Sequence, residues 1–297
     1  MVPSLDMPSV LPALRKCELL AIPRCSYYRL RRPVEPDNEE QELIDTLHRL
    51  CEDNPCYGYR RICVALHKII PGVNHKRVLR FMRQEGLLVL PRKRFVHTTD
   101  SNHRLRIYEN LIKHRRLTGI NQVWVSDITY IAYGTLFAYL AVVLDAYSRK
   151  VVGWKVSRHV DTTLTLGALE MALHTREAPD GLIHHSDRGV QYASQAYVQQ
   201  LQKHHIAISM SAPGNPYDNA KAESFMKTIK TEEVYRNEYD SFEEVEASIG
   251  YYIEEIYNTR RLHSAIGYTS PTLFEQKLTN SLPYQPTIGP TKNAVSL

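Results

Sequence analysis

Val123-Trp-Val-Ser-Asp-Ile-Thr-Tyr-Ile131 is the stretch whose reading decides the fold. β-Branched and aromatic residues dominate it, and alternation puts Val123, Val125, Asp127, Thr129 and Ile131 on one face of a strand. A carboxylate in mid-strand among apolar neighbours is costly to bury unless something pairs with it. A divalent cation is one such partner. A structural Asp accepting backbone or Arg hydrogen bonds is the other reading, and the segment alone leaves both open.

Downstream, the period switches several times. The strand over 122–132 is followed by an apolar strand, Leu136 to Leu144, a turn at Asp145-Ala-Tyr-Ser-Arg149, and a third strand over 151–156. Asp161 caps a helix to Thr175 with Leu164, Ala168, Leu169, Ala172 and Leu173 inward. A strand over 182–186, a helix over 194–204 and a strand over 206–209 come next. A final helix opens with Asp218 or Asn219 as N-cap and carries the stripe Ala222, Phe225, Met226 and Ile229. Three successive strands followed by alternating helices and strands predict an α/β mixed sheet with helices on its faces. Asp127 then sits on the first strand, Asp187 just beyond the fourth, and Glu223, with 35 residues between it and Asp187, on the last helix. Lys227 and Lys230 project from the same side as Glu223. That grouping suits holding a metal ion while gripping a phosphodiester, although an isolated E-x-x-x-K pair is more often a solvated helix face. An amphipathic helix within 240–277, with Phe242, Val245, Ile249, Ile253 and Ile256, closes on the core, and the tail over 279–297 reads as flexible.

Upstream, the chain is basic. Residues 1–120 hold 22 Lys/Arg against 13 Asp/Glu and residues 121–297 hold 15 against 19, so the net charge of +5 hides an asymmetry. It is sharpest over 54–116, with 15 basic and 3 acidic residues, the pattern of a polyanion-binding module. Over 37–89 three helices are expected. Leu43, Ile44, Leu47 and Leu50 mark the first; Ile62, Ala65, Leu66 and Ile69 face inward on the second, with Arg60 and Arg61 outward. Asn74 caps the third, where Val78, Leu79 and Met82 face in and Lys76, Arg77, Arg80 and Arg83 face out until Gly86. This is the layout of a helix-turn-helix DNA reader, with a helical bundle bearing a soluble basic face as the alternative. Residues 90–120, with Arg92, Lys93 and Arg94, read as a basic linker that crosses a phosphate backbone and orders with nucleic acid. Residues 1–36 hold at most a partial helical element.

At 297 residues the chain has material for one large and one small domain. The longest apolar run, Leu136 to Leu144, is too short to span a bilayer, and the N-terminus lacks a signal-peptide pattern, so cytoplasmic is the expected location. All five cysteines fall in the first 63 residues without a Cys-x-x-Cys, which favours reduced thiols and gives no recognisable zinc spacing.

Several segments together resemble the catalytic, second-frame subunit (OrfB type) of bacterial insertion-sequence transposases of the insertion sequence three group, with a retroviral-integrase-like core. They are Tyr57-Gly-Tyr-Arg-Arg-Ile62, Val73-Asn-His-Lys-Arg-Val-Leu-Arg80, Trp124-Val-Ser-Asp-Ile-Thr-Tyr130, Asp145-Ala-Tyr-Ser-Arg149 with Val152-Gly-Trp154, and His185-Ser-Asp-Arg-Gly-Val-Gln-Tyr192. Gly214-Asn-Pro-Tyr-Asp-Asn-Ala220, Glu223-Ser-Phe225, and Tyr257-Asn-Thr-Arg-Arg-Leu-His263 through Ser270-Pro271 complete the set, over roughly residues 40–277. The resemblance implies a ribonuclease-H-like core over 121–278 in which Asp127, Asp187 and Glu223 form a catalytic, metal-holding DDE triad. It implies two Mg²⁺ ions, with Mn²⁺ as a substitute, and DNA cleavage and strand transfer at insertion-sequence ends. Lys227 and Lys230 would contact terminal DNA, and the loop over 214–217 would engage it too. Implied partners are DNA, further copies of the chain assembled on it, and an upstream-frame helix-turn-helix subunit. A catalytically inactive repressor and a ribonuclease-H-fold nuclease are the alternatives. Asp145 reads as a turn residue accepting a bond from Arg149, and His184 and His185 as structural or DNA-contacting groups rather than general bases.

Overall fold

The computed structural model describes residues 12–31, 38–89, 105–113, 115–212 and 219–281. The chain divides after Val89 into two compact units. The first holds α1 (Ala13–Leu19), α2 (Arg24–Arg31), α3 (Asn38–Asp53), α4 (Tyr59–Leu66) and α5 (His75–Gln84). Asn74 caps α5 as expected, its side chain accepting from Lys76 N at 2.9 Å, and Gly86 at φ +69° ends it while Leu87 N reaches back to Met82 O at 2.8 Å. Leu43, Leu47, Ile62, Leu66, Val78, Phe81 and Met82 are buried. Ile69, expected inward, is 54% exposed, because α4 stops at Leu66 and the helical phase is lost. The five cysteines are free thiols.

The second unit contains β1 (Val123–Tyr133), β2 (Leu136–Asp145), β3 (Val151–Ser157), α6 (Thr162–Thr175), β4 (Ile183–Ser186), α7 (Val190–Ala193), α8 (Gln195–Lys203), β5 (Ala207–Met210), α9 (Ala220–Glu232), α10 (Phe242–Tyr251) and α11 (Pro271–Ser281). Sheet order is β3-β2-β1-β4-β5, with β1–β2 and β2–β3 antiparallel and β1–β4 and β4–β5 parallel. β1 is apolar on both faces because both are covered. Val123, Val125 and Ile131 pack with Phe225, Ile229, Val245 and Ile249, whereas Trp124 packs with Leu164, Leu169, Tyr197 and Leu201. Of the stretch read as a linker, residues 105–113 and 115–120 belong to this unit: Leu111 N donates to Ser209 Oγ at 2.9 Å, and Ile112 and Leu117 pack on the core. None of the described helices is long and apolar enough to cross a membrane.

Two readings are corrected. The helix of Phe242 does not run on regularly through Ile256; α10 passes into a π-helical turn, Tyr252–Tyr257. The wider turn brings Tyr252, Ile253 and Tyr257 all into the core. Asp145 is indeed a turn residue, fully buried, and its side chain accepts from Tyr147 N and Ser148 N at 2.9 and 2.8 Å. Its cationic neighbour is Arg176 at 3.6 Å, whereas Arg149 offers only its backbone N–H, to Asp145 O.

β3 and α6 approach at Gly153, where an added Cβ would strike Ala168 O and lie 2.7 Å from Ala172 N, both backbone atoms. Neither can step aside without moving the helix. Gly153→Ala is therefore expected to lower the unfolding free energy by roughly 3 kcal/mol, read as a fall in the urea midpoint at unchanged slope.

Candidate active site

Three elements deliver the three acids. Asp127 lies on the α9-facing side of β1, partly buried, its Oδ1 accepting from Ile128 N at 2.9 Å. Because β4 runs parallel to β1 with His185 opposite Val125, Asp187, one residue past β4, emerges level with Asp127. Asp187 Oδ1 accepts from Gly189 N at 2.9 Å, which fixes it at the head of α7. Glu223 stands exposed in the first turn of α9. Asn219 was read as a possible cap for that helix. It occupies the N-cap position, yet its side chain makes no cap bond; Nδ2 donates to Ser126 O at 3.0 Å, tying the start of α9 to β1 beside Asp127.

The acids share one electrostatic environment. Burial first, then the charge of Asp187 and that of Glu223, push the Asp127 carboxyl up to about 7, against the opposing pull of the Ile128 N–H and Lys230. As the side chains stand, no three His, Cys, Asp or Glu groups among the described residues converge tightly enough to hold a metal ion. Of the three acids Glu223 is the exposed one, on a side chain free to change rotamer. Two further buried polar atoms, Asn219 Oδ1 and Tyr192 Oη, have no hydrogen-bond partner among the described residues. Tyr192 feels both Asp127 and Asp187, and with burial foremost its phenol is raised well above the usual range.

The lysines of α9 differ. Lys227 is exposed, whereas Lys230 is partly buried and its Nζ lies 4.3 Å from the centre of the Tyr130 ring. His184 and His185 are buried and structural. Nε2 of His184 meets Ser126 Oγ at 2.8 Å and Tyr197 Oη at 2.9 Å; His185 meets Ser209 Oγ and Ser211 Oγ at 2.8 and 3.1 Å. Burial, aided by His185, pushes His184 down to about 3, so it stays neutral. In the first unit Arg60, Lys76, Arg77, Arg80 and Arg83 are exposed, and Arg61 is partly buried over the Tyr57 ring at 5.3 Å. Arg77 and Arg80 come within 4.0 and 3.9 Å of Glu40. Arg92, Lys93, Arg94 and the 214–217 loop lie outside the described residues.

Sequence reasoning assigned nothing to the group that anchors the far end of α9. Arg261, 5% exposed, grips Glu232 through Nε and Nη2 at 2.7 and 2.6 Å, and Tyr252 Oη donates to the same carboxylate at 3.0 Å. The only signal was Arg261 inside a quoted motif. Its partner lies 29 positions earlier on α9, a pairing no local periodicity reveals.

An HTH-like domain family matches residues 37–95, and two integrase core domain families match residues 118–216 and 204–271. The transposase InsF for insertion sequence IS3A of Escherichia coli (strain K12) is 35% identical over 267 residues, 88% of this chain and 93% of its own length. The chain belongs to the IS3-type transposases. An insertion element IS600 31 kDa protein of Shigella sonnei is 34% identical over 88% of this chain and 97% of its own. A chain of the simian T-cell lymphotropic virus intasome, solved with PP2A regulatory subunit B56 gamma, gives a TM-score of 0.47 at 17% identity, covering 84% of this chain and 79% of that one. This transposase is accordingly a DDE-type polynucleotidyl transferase, with an HTH-like domain ahead of a ribonuclease-H-like integrase core.

Proposed function

We propose that Asp127, Asp187 and Glu223 are the catalytic acids of this transposase and together hold two Mg²⁺ ions, with Mn²⁺ as a substitute. The observation that carries this reading is that burial first, and then the charges of Asp187 just past β4 and Glu223 on α9, raise Asp127 on β1 to about 7, opposed by the Ile128 N–H and Lys230. Hard oxygen donors in excess of nearby positive charge fit divalent cations, and the unsatisfied Asn219 Oδ1 fits a cation-bound water. When bound, such ions supply Lewis-acid activation of the attacking oxygen and stabilisation of the leaving one. The protein's own part is positional: β1 and β4 fix two acids side by side, Asn219 sets the start of α9, and Lys227 and Lys230 offset phosphate charge.

The substrate on this reading is DNA at the ends of an insertion sequence. Water first attacks the phosphodiester at the element's end and displaces its 3′ oxygen; that 3′ hydroxyl then attacks a second phosphodiester and displaces the 3′ oxygen of the strand it breaks. Arg60, Arg61, Lys76, Arg77, Arg80 and Arg83 of the HTH-like domain, with Arg92, Lys93 and Arg94 after it, take the phosphate backbone. Several copies assemble on the DNA, an upstream-frame subunit contributes to end recognition, and the setting is the bacterial cytoplasm at the nucleoid. Incubating the protein with Mg²⁺, a labelled duplex of the element's end and target DNA tests this. Joined strands longer than the substrate are expected; nicks that never become joints would mean a hydrolytic nuclease.

A further inference from the structure

The β1–β2 hairpin places aromatic surface in water next to the acid site. Most of β2 is buried, yet Leu136 and Phe137 at its start are 58% and 50% exposed. Phe137 meets Tyr130 edge to face, with centroids 5.5 Å apart and planes at 88°, and Lys230 caps the Tyr130 ring at 4.3 Å. Register explains the grouping. Tyr130 pairs with Tyr139 and Ala132 with Phe137, so Tyr130 and Phe137 are diagonal neighbours on the sheet face opposite Asp127. β4 pairs with β1 only over Val123 to Val125, so beyond that point no strand among the described residues flanks β1 on this side. Lys230 comes from α9, on the Asp127 side, and reaches Tyr130 on the other, so its charge bears on both places.

We propose that Phe137, with Tyr130 and Lys230 beside it, is a stacking platform for an unpaired base of the DNA strand that enters the acid site. This rests on the transposase reading and extends it, because it makes melting of the terminal base pairs part of substrate recognition. Tyr130 follows Asp127 by three residues, or about 10 Å of strand. That corresponds to about three nucleotides of a stacked strand. A base in duplex hides both its faces, whereas an unpaired one can lie on an aromatic ring whatever its identity. Lys230, set against the ring, offsets the charge of the phosphate such a base brings with it. Charge also selects the occupant: an apolar protein surface would have to desolvate Lys230 and cover Lys227 one turn before it, while a polyanion gains from both.

The test uses the full chain in EDTA, so that binding is seen without chemistry. Anisotropy titrations compare a labelled fully paired duplex with the same duplex carrying about three mismatched terminal pairs and 2-aminopurine among them. The forked duplex is expected to bind about tenfold tighter than the paired one. Phe137→Ala brings the two within about twofold of each other while leaving paired-duplex affinity unchanged; Phe137→Trp keeps the preference, and its indole quenches the 2-aminopurine. Equal affinities in the unaltered protein, or a preference untouched by Phe137→Ala, would overturn the platform, as would a Phe137→Ala change confined to sedimentation, which would mark a contact between copies. Joining assays with Mg²⁺ on pre-forked ends separate the two ideas: joining without fork preference sinks only the platform, and fork preference without joining sinks only the catalytic assignment.

Discussion

Asp127→Asn is expected to cut strand joining by about a thousandfold or more, the loss of several kcal/mol of charge stabilisation at phosphorus, while making the metal-free protein more stable at pH 8. The two effects have one cause. In the fold, burial first and then the charges of Asp187 and Glu223, opposed by the Ile128 N–H and Lys230, raise the Asp127 carboxyl to about 7 from an ordinary 3.8. A folded-state value above the unfolded one means the folded protein binds the extra proton, so stability falls as pH rises between about 4 and 7, and the whole cost is present at pH 8. Asn keeps an oxygen that accepts the Ile128 N–H and drops the charge. The metal-free variant should thus melt above the unaltered protein by about 5 °C at pH 8, with the gap closing near pH 4. Adding Mg²⁺ should reverse the order, since only the intact carboxylate set gains from the ion. Scanning fluorimetry across pH with and without Mg²⁺, beside the joining gel, reads all three. If Mg²⁺ shifts the variant as much as the parent, Asp127 is not a ligand.

The sequence exposed the framework of that site better than its fastenings. Asp127 was legible because a charged residue interrupts a two-residue alternation, and β1 came out within a residue of its expected bounds. The helix capped by Asp161 was legible for a similar reason: the cap is local, and Asp161 Oδ1 does accept from Leu164 N at 3.0 Å. What escaped depends on contacts between distant residues. Asn219 reads as a cap from its neighbours, but its amide is drawn to Ser126 O, 93 positions away. The π-helical turn cannot be read from a 3.6-residue stripe, because it exists to put Tyr252, Ile253 and Tyr257 into one core. Nor does periodicity pick out Phe137, an apolar residue in an apolar run that is nonetheless 50% exposed.

The far end of α9 is where disruption should cost the most stability. Arg261→Met is expected to destabilise the protein by about 3–5 kcal/mol, because it strands the Glu232 carboxylate. That side chain is 12% exposed and is bonded by Arg261 and the Tyr252 hydroxyl. Burial works against the Arg261 charge, and the bonds and charge of Glu232 more than offset it, leaving the guanidinium held above its usual range. Burial and Glu232 likewise raise the Tyr252 phenol, so it remains a donor. The melting temperature should drop by about 10 °C. Removing both charges, as Glu232→Leu with Arg261→Met, should restore much of the loss, since no buried charge is then unpaired. Activity should not return with it. Glu232 closes the helix whose first turn carries Glu223, and Tyr252 and Arg261 clamp that end to the chain after α10. An apolar contact holds the helix down but lets it rotate and slide, and Glu223, as a proposed ligand of a shared ion, would tolerate little of either. A double variant that regains both stability and full joining would show that the pair contributes packing alone and that the pose of Glu223 is set entirely at the Asn219 end.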